Sequence, residues 1–156
     1  DIVAGRGNIS AAIADLSPTS PDKTLPVDYT QSLKDLNKAN FSELRELPPW
    51  ADIFSEYCLF VRPHNSEEEQ NFLDLASGYL RVHCQQTVKS TPITYQEQKL
   101  YLAGQQYYCN KQQQNDKTRR VLEKAFGEEW AENYMTTVLF DVPESLDEKQ
   151  ITVAGE

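Results

Sequence analysis

The chain has 156 residues, 39% of them hydrophobic, and a net charge of −9, the profile of an ordinary soluble globular domain. No apolar run approaches the ~18 residues of a membrane span and no signal peptide opens the chain. So acidic a balance excludes nonspecific nucleic-acid binding, which needs a broad basic surface to neutralise phosphates.

Residues 2–4 and 9–16 are apolar or alternating and are joined by Gly5-Arg6-Gly7-Asn8. Glycine and asparagine tolerate positive φ, so the pair is expected as a β-hairpin. Pro18, Pro21 and Pro26 break regular structure across a surface loop, and Pro26 suits the first turn of a helix carrying Tyr29, Leu33 and Leu36 on one side. Pro48-Pro49 stops whatever precedes it. Residues 53–61 (IFSEYCLFV) are rich in aromatic and β-branched types and form the clearest strand, which Pro63 ends.

Ser66 with Glu69 has the spacing of a capping box. Phe72, Leu75, Ala76, Tyr79 and Leu80 then recur at helical intervals and predict one buried face. Thr94 with Glu97 repeats the capping signature and opens a second long helix through Tyr101, Leu102 and Tyr108. Asn115-Asp116 caps a short helix over 118–126, which Gly127 stops. Trp130, Tyr134 and Val138 extend an apolar stripe into Leu139-Phe140. After Pro143 the composition turns polar. Strands first and helices afterwards predict an α+β layout.

Chemistry-bearing motifs are scarce. There is no hydrolase triad, P-loop or dinucleotide fingerprint, and the Gly5-Arg6-Gly7 turn lacks the spacing of a phosphate loop. Cys58, Cys84 and Cys109 are odd in number, without C-x-x-C or Cys/His ligand spacing, and are expected as reduced thiols with no metal. His83 falls on the apolar face of its helix, as a hydrogen-bonded core histidine would. His64, between Pro63 and Asn65, suits a solvated loop. One feature does stand out: Lys111, Lys117, Arg119, Arg120 and Lys124 lie within fourteen positions, opposed only by Asp116 and Glu123. A chain this acidic that gathers its cations in one place has an anion to hold there. A solvated helix face, with Arg119 and Glu123 as an i,i+4 pair, is the plainer reading of the same residues.

The stretch 107–141, YYCNKQQQNDKTRRVLEKAFGEEWAENYMTTVLFD, resembles, almost residue for residue, the C-terminal end of the ferredoxin-dependent bilin reductases. The resemblance implies a three-layer α/β/α sandwich with a central antiparallel sheet. Residues 1–141 would be the C-terminal part of a single reductase domain, while the polar composition of residues 142–156 predicts a disordered tail. Because the family's match to the opening DIVAG lies inside the protein, the chain is expected to be the later part of a longer polypeptide. The family's histidine pair and active-site glutamate then fall upstream of Asp1.

The activity so implied is four-electron reduction of biliverdin IXα to phycocyanobilin. Ferredoxin delivers single electrons directly to the bilin, with no flavin and no metal, in a monomeric cytoplasmic protein of cyanobacteria. Alternatives are a sister reductase making phycoerythrobilin and a bilin-binding or assembly module without redox activity. Asp1 matches the proton-donating aspartate, whose carboxyl can keep its proton near neutral pH when buried against an apolar ligand. Ser10, Arg45 and Lys117 match the positions that hold the two propionates. Arg45, in ELRELPP, also fits a surface residue pairing with Glu43 or Glu46. Asn115 resembles a position lining the bilin pocket, and Tyr108 and Leu139 join it as wall residues, though both also suit an ordinary core. Lys111, Arg119, Arg120 and Lys124 are the expected docking cations for acidic ferredoxin.

Overall fold

The computed structural model describes residues 1–5, 7–36 and 39–144. The chain falls into two compact units. One comprises Asp1–Pro18 with Asp22–Pro92; the other comprises Thr19–Pro21 with the chain from Ile93 onward.

The first unit contains an antiparallel sheet of β1 (Ile2–Gly5), β2 (Asn8–Ala14) and β3 (Leu59–Val61), in that order. Gly7 takes φ 80° in the connection between β1 and β2, the positive region that glycine enters without steric cost; Arg6 lies outside the described residues. Val3 stands opposite Ala11, but Ala4 stands opposite Ile9, so Ser10 is the extra residue of a β-bulge. The segment 43–45 lies along the far side of β3. Leu44 bridges Val61, the Arg45 N–H donates to the Phe60 carbonyl at 2.8 Å, and the Arg62 N–H donates to the Glu43 carbonyl at 3.0 Å.

Only residues 59–61 of the expected strand 53–61 are extended. Residues 51–58 instead spend their backbone hydrogen bonds on turns, with Phe54 N–H on Ala51 and Cys58 N–H on Ser55. The turn is anchored from outside, because the Asp15 carboxylate accepts from both the Ser55 N–H (3.1 Å) and its hydroxyl (2.5 Å). That long-range tie overrides the β propensity of the local sequence.

Helix α1 (Val27–Lys34) begins after Pro26, and α2 (Ser66–Lys89) packs on both α1 and β2. The cap of α2 is Asn65 and not Ser66; its side chain accepts from the Glu68 N–H. The buried face of α2 runs through Glu68, Phe72, Tyr79 and Val82. Leu80, expected on that face, is 63% exposed, since one residue beyond Tyr79 is turned ~100° around the helix. Phe72 closes a core with Ala12 and Val61, while Leu33, Tyr79 and Val82 make a second.

The second unit is helical: α3 (Tyr95–Gln112), α4 (Asp116–Phe126), α5 (Glu128–Tyr134) and a π-helical turn Met135–Leu139. Thr94 and Glu97 form the complete capping box, and Gly127 ends α4 at φ 91°. Asn115 caps α4 through Thr118. The apolar stripe 130–134–138 faces outward, with Val138 61% exposed, whereas Ala131 and Met135 are wholly buried. Phe126 instead lies tilted against Trp130, with ring centroids 4.4 Å apart, and Trp130 stacks on Tyr134 at 4.7 Å. The described part is therefore α+β, with three strands and five α-helices. Of the expected tail 142–156, residues 145–156 lie outside the described residues; the Pro143 carbonyl accepts from Gln106 at 2.9 Å.

Candidate functional site

Antiparallel register decides which side chains share a face of the sheet. Asp1 exchanges both backbone bonds with Ile13, at 2.8 and 2.9 Å. Ile13 stands opposite Phe60, and Arg45 donates its N–H to Phe60. Asp1, Ile13, Phe60 and Arg45 thus form one cross-strand row, carrying a carboxylic acid at one end and a guanidinium at the other. Three inter-strand spacings of ~4.8 Å separate the ends by roughly 14 Å of backbone. The opposite face, through Ala12 and Val61, is the one Phe72 of α2 covers.

Arg45 is held in place by its neighbours on the sheet. Its Nη1 donates to the Ser10 carbonyl at 2.6 Å, and its guanidinium lies 5.4 Å from the Phe60 ring centroid. The bulge supplies that acceptor, because an unpaired residue has a carbonyl the ladder does not use in the regular way. The Ser10 hydroxyl donates to the Val3 carbonyl at 3.0 Å. So Asp1, Ser10 and Arg45, three residues expected at a site on sequence grounds, meet on one small sheet. Arg45 does not make the surface pair with Glu43 or Glu46; Glu43 instead takes His64 Nε2 at 2.8 Å.

Two acidic residues that sequence reasoning passed over hold this unit together. Glu68 is 8% exposed; it accepts from the Ser42 N–H and the His64 N–H, both at 3.0 Å. Those bonds, the His64 one foremost, hold its carboxyl below the ordinary 4.5. Its signal in the sequence, a third residue after an Asn cap, was hidden by the neighbouring Ser66/Glu69 spacing. Asp15 binds Ser17 as well as Ser55. Burial, reinforced by Asp15, pushes the Cys58 thiol and the Tyr79 phenol each up to about 12, which leaves Cys58 an unreactive thiol at neutral pH. His83 is exposed, not in the core; its Nδ1 meets the Tyr29 hydroxyl at 3.1 Å.

The remaining expected site residues lie in the helical unit. Lys117 is exposed in the first turn of α4 and Asn115 is that helix's cap. The Tyr108 hydroxyl accepts from Gln112 at 3.0 Å, and Leu139 ends the π-helical turn 40% exposed. Lys117, Arg120 and Lys124 recur at helical spacing around the exposed Val121. Arg120 also lies 3.5 Å from Asp116, an exposed i,i+4 pair of little energy. Arg119 differs from them: it pairs with Glu132 and donates to the Gln113 carbonyl, tying α4 to α5 and to the end of α3. Lys111 sits over the Tyr107 ring at 5.4 Å. Among the described residues no group of three or more His, Cys, Asp or Glu is placed to hold a metal ion, and no helix is long and apolar enough to cross a membrane.

Comparison with known proteins adds a family. The family model described as "Ferredoxin-dependent bilin reductase" matches residues 1–141. A phycocyanobilin:ferredoxin oxidoreductase from Synechococcus elongatus is 57% identical over 144 residues, and the protein of that name from Trichodesmium erythraeum is 52% identical over 143. Each alignment covers 92% of this chain and 58% of the relative, so the chain spans little more than half the length of these proteins.

Proposed function

Because the chain belongs to the ferredoxin-dependent bilin reductase family, we propose that its protein reduces biliverdin IXα to phycocyanobilin with four electrons from ferredoxin and four protons. The observation that carries this reading is the row Asp1–Ile13–Phe60–Arg45. A flat tetrapyrrole with two propionates needs an apolar wall, a cation for a carboxylate and a proton source for the reducing end. That row offers all three on a single sheet face, inside the family's three-layer sandwich.

In this mechanism Arg45 presents its planar fork to one propionate, with Ser10 beside it and Phe60 beneath the guanidinium. Lys117 adds a point charge for the other propionate, while Asn115, Tyr108 and Leu139 contribute to the wall. Each electron that reaches the bilin makes it more basic, and the Asp1 carboxyl transfers its proton to the reduced pigment. A bilin lying over Asp1 shields the carboxyl from bulk water, so its proton passes to the pigment and not to solvent. Electrons pass directly from ferredoxin to the bilin, without flavin or metal, in a monomeric cytoplasmic protein. The face formed by Lys117, Arg120 and Lys124, extended by Lys111, steers acidic ferredoxin, an effect worth roughly 10- to 1,000-fold in association rate. Arg119 strengthens that positive field while holding the helices together.

The test is an anaerobic assay of the full-length protein with biliverdin, ferredoxin and a reductant. Reduced bilins are expected, with phycocyanobilin as the end product; a static bound spectrum would mark a carrier, and phycoerythrobilin a sister reductase. In Asp1→Asn, which keeps the shape but not the transferable proton, biliverdin should bind normally and a bilin radical should accumulate. Normal turnover of that variant would assign the protons to another group.

A further inference from the structure

The strand that carries Arg45 is marginal by itself. It consists of residues 43–45 and meets β3 through a single bridge, Leu44 to Val61. Two backbone bonds support it, from Arg45 to Phe60 and from Arg62 to Glu43. A pairing this short at a sheet edge frays unless something outside the ladder fixes it. Glu68 does so. One carboxylate oxygen takes the N–H of Ser42, immediately before the Arg45 strand, and the other takes the N–H of His64, just after β3. Both lines of the pairing therefore end on the same carboxylate. It sits in the first turn of α2, whose cap Asn65 accepts the Glu68 N–H at 2.9 Å, where the helix dipole favours a negative charge.

We propose that Glu68 is a positioning residue for substrate binding: by clamping the Ser42 and His64 backbone it sets the register of the Arg45 strand, and through it the aim of the guanidinium at a bilin carboxylate. The inference rests on the reading of Arg45 as a propionate ligand. It assigns a role in specificity to a side chain that never touches the pigment. Arg45 gains from being aimed in advance, since a long side chain ordered only on binding would subtract that entropy from its affinity.

The experiment compares biliverdin with its dimethyl ester, which has the same chromophore but no carboxylates, in titrations of the full-length protein. Arg45→Gln should weaken biliverdin binding by roughly 10- to 100-fold and leave the ester unchanged. If it does not, the parent reading of Arg45 fails. Given that loss, Glu68→Gln, which puts an amide donor against a backbone N–H, should weaken biliverdin by about three- to tenfold. It too should spare the ester, and add nothing in the Arg45→Gln background. A residue that merely supports the fold would weaken both ligands alike, and its effect would add to that of Arg45→Gln; either outcome, or no change in biliverdin affinity, overturns the proposal. If Glu68→Gln does not fold, Glu68→Asp carries the same test, because it keeps the charge while withdrawing the oxygens from the two N–H groups.

Discussion

In the strand-rich unit, irregular backbone is tied down by buried or half-buried carboxylates; in the helical unit, the helices satisfy themselves and close their ends with caps. Asp15 gathers Ser17 and Ser55, and Glu68 gathers Ser42 and His64. By contrast, Thr94, Asn115 and Gly127 act within a few residues of their own position. The difference follows from ladder geometry. Turns such as 51–58 have N–H groups with no intrinsic partner, and a buried N–H must find one. The two units accordingly hold their cations differently. Arg45 is fixed by a bulge carbonyl and an aromatic ring. Arg120 and Lys124 stand exposed along α4, which suits a long-range field more than a fixed contact.

Glycine substitution should break this comparison most severely. A Cβ at Gly104 in α3 would run into the Thr19 backbone carbonyl, so residues 19–21 can pack there only against glycine. Gly104→Ala should destabilise the full-length protein by about 3 kcal/mol, despite the better helix propensity of alanine. At Gly78 in α2 the added Cβ meets only the flexible end of Leu36, at 3.1 Å. Gly78→Ala should stay within about 1 kcal/mol in the same denaturant titration. Equal losses at the two sites would refute the close approach at Gly104.

The Asp15 hub comes next. Asp15→Asn weakens the acceptor of Ser55 and should cost about 2 kcal/mol, the scale of hydrogen bonds to a charged group. It should also let the Cys58 thiol titrate below its present value of about 12, though burial, the larger cause, keeps it above the ordinary 9.0. Alkylation rate against pH measures this directly. The linkage sign is clear for the wild type: the native thiol keeps a proton that the unfolded chain loses above 9.0. Stability therefore declines as pH rises from about 9 toward about 12, with Tyr79 acting in the same direction from 10.0 upward.

Acid gives the smallest effect, and it acts on clamp and cap alike. Glu68 and Glu97 both have carboxyls held below the ordinary 4.5, Glu68 by the His64 and Ser42 backbone and Glu97 by the Thr94 hydroxyl and N–H. Each therefore adds stability above about pH 4.5 that is lost as pH falls through its lower native value. Acid unfolding followed at several pH values should flatten in both Glu68→Gln and Glu97→Gln relative to the wild type, because each removes a carboxyl held below its ordinary range. Thr94→Ala, which removes the other half of the capping box, should cost about 1 kcal/mol at neutral pH.

Much of the fold was legible in the order of residues. The hairpin glycine, the Thr94/Glu97 box, the Asn115 cap and the Gly127 stop all work through neighbours within four positions, so their spacing is their mechanism. The basic cluster and its match to a reductase family were equally a property of the linear chain. Tertiary structure alone decided the rest. Nothing local to IFSEYC announces that Asp15, forty residues earlier, will hold Ser55 in a turn and cut the expected strand to three residues. Nothing local to Trp130 and Val138 tells which side of α5 faces inward, because an apolar stripe one residue wide of Ala131 and Met135 has the same period. The row Asp1–Ile13–Phe60–Arg45 is likewise invisible in sequence. Its members are brought together by strand register, and register is set by what each strand meets across the sheet and on the covered face. Spacing along the chain fixes the contacts that close within one helical turn; those that close between segments depend on which face is buried, and that is settled only when the core is packed.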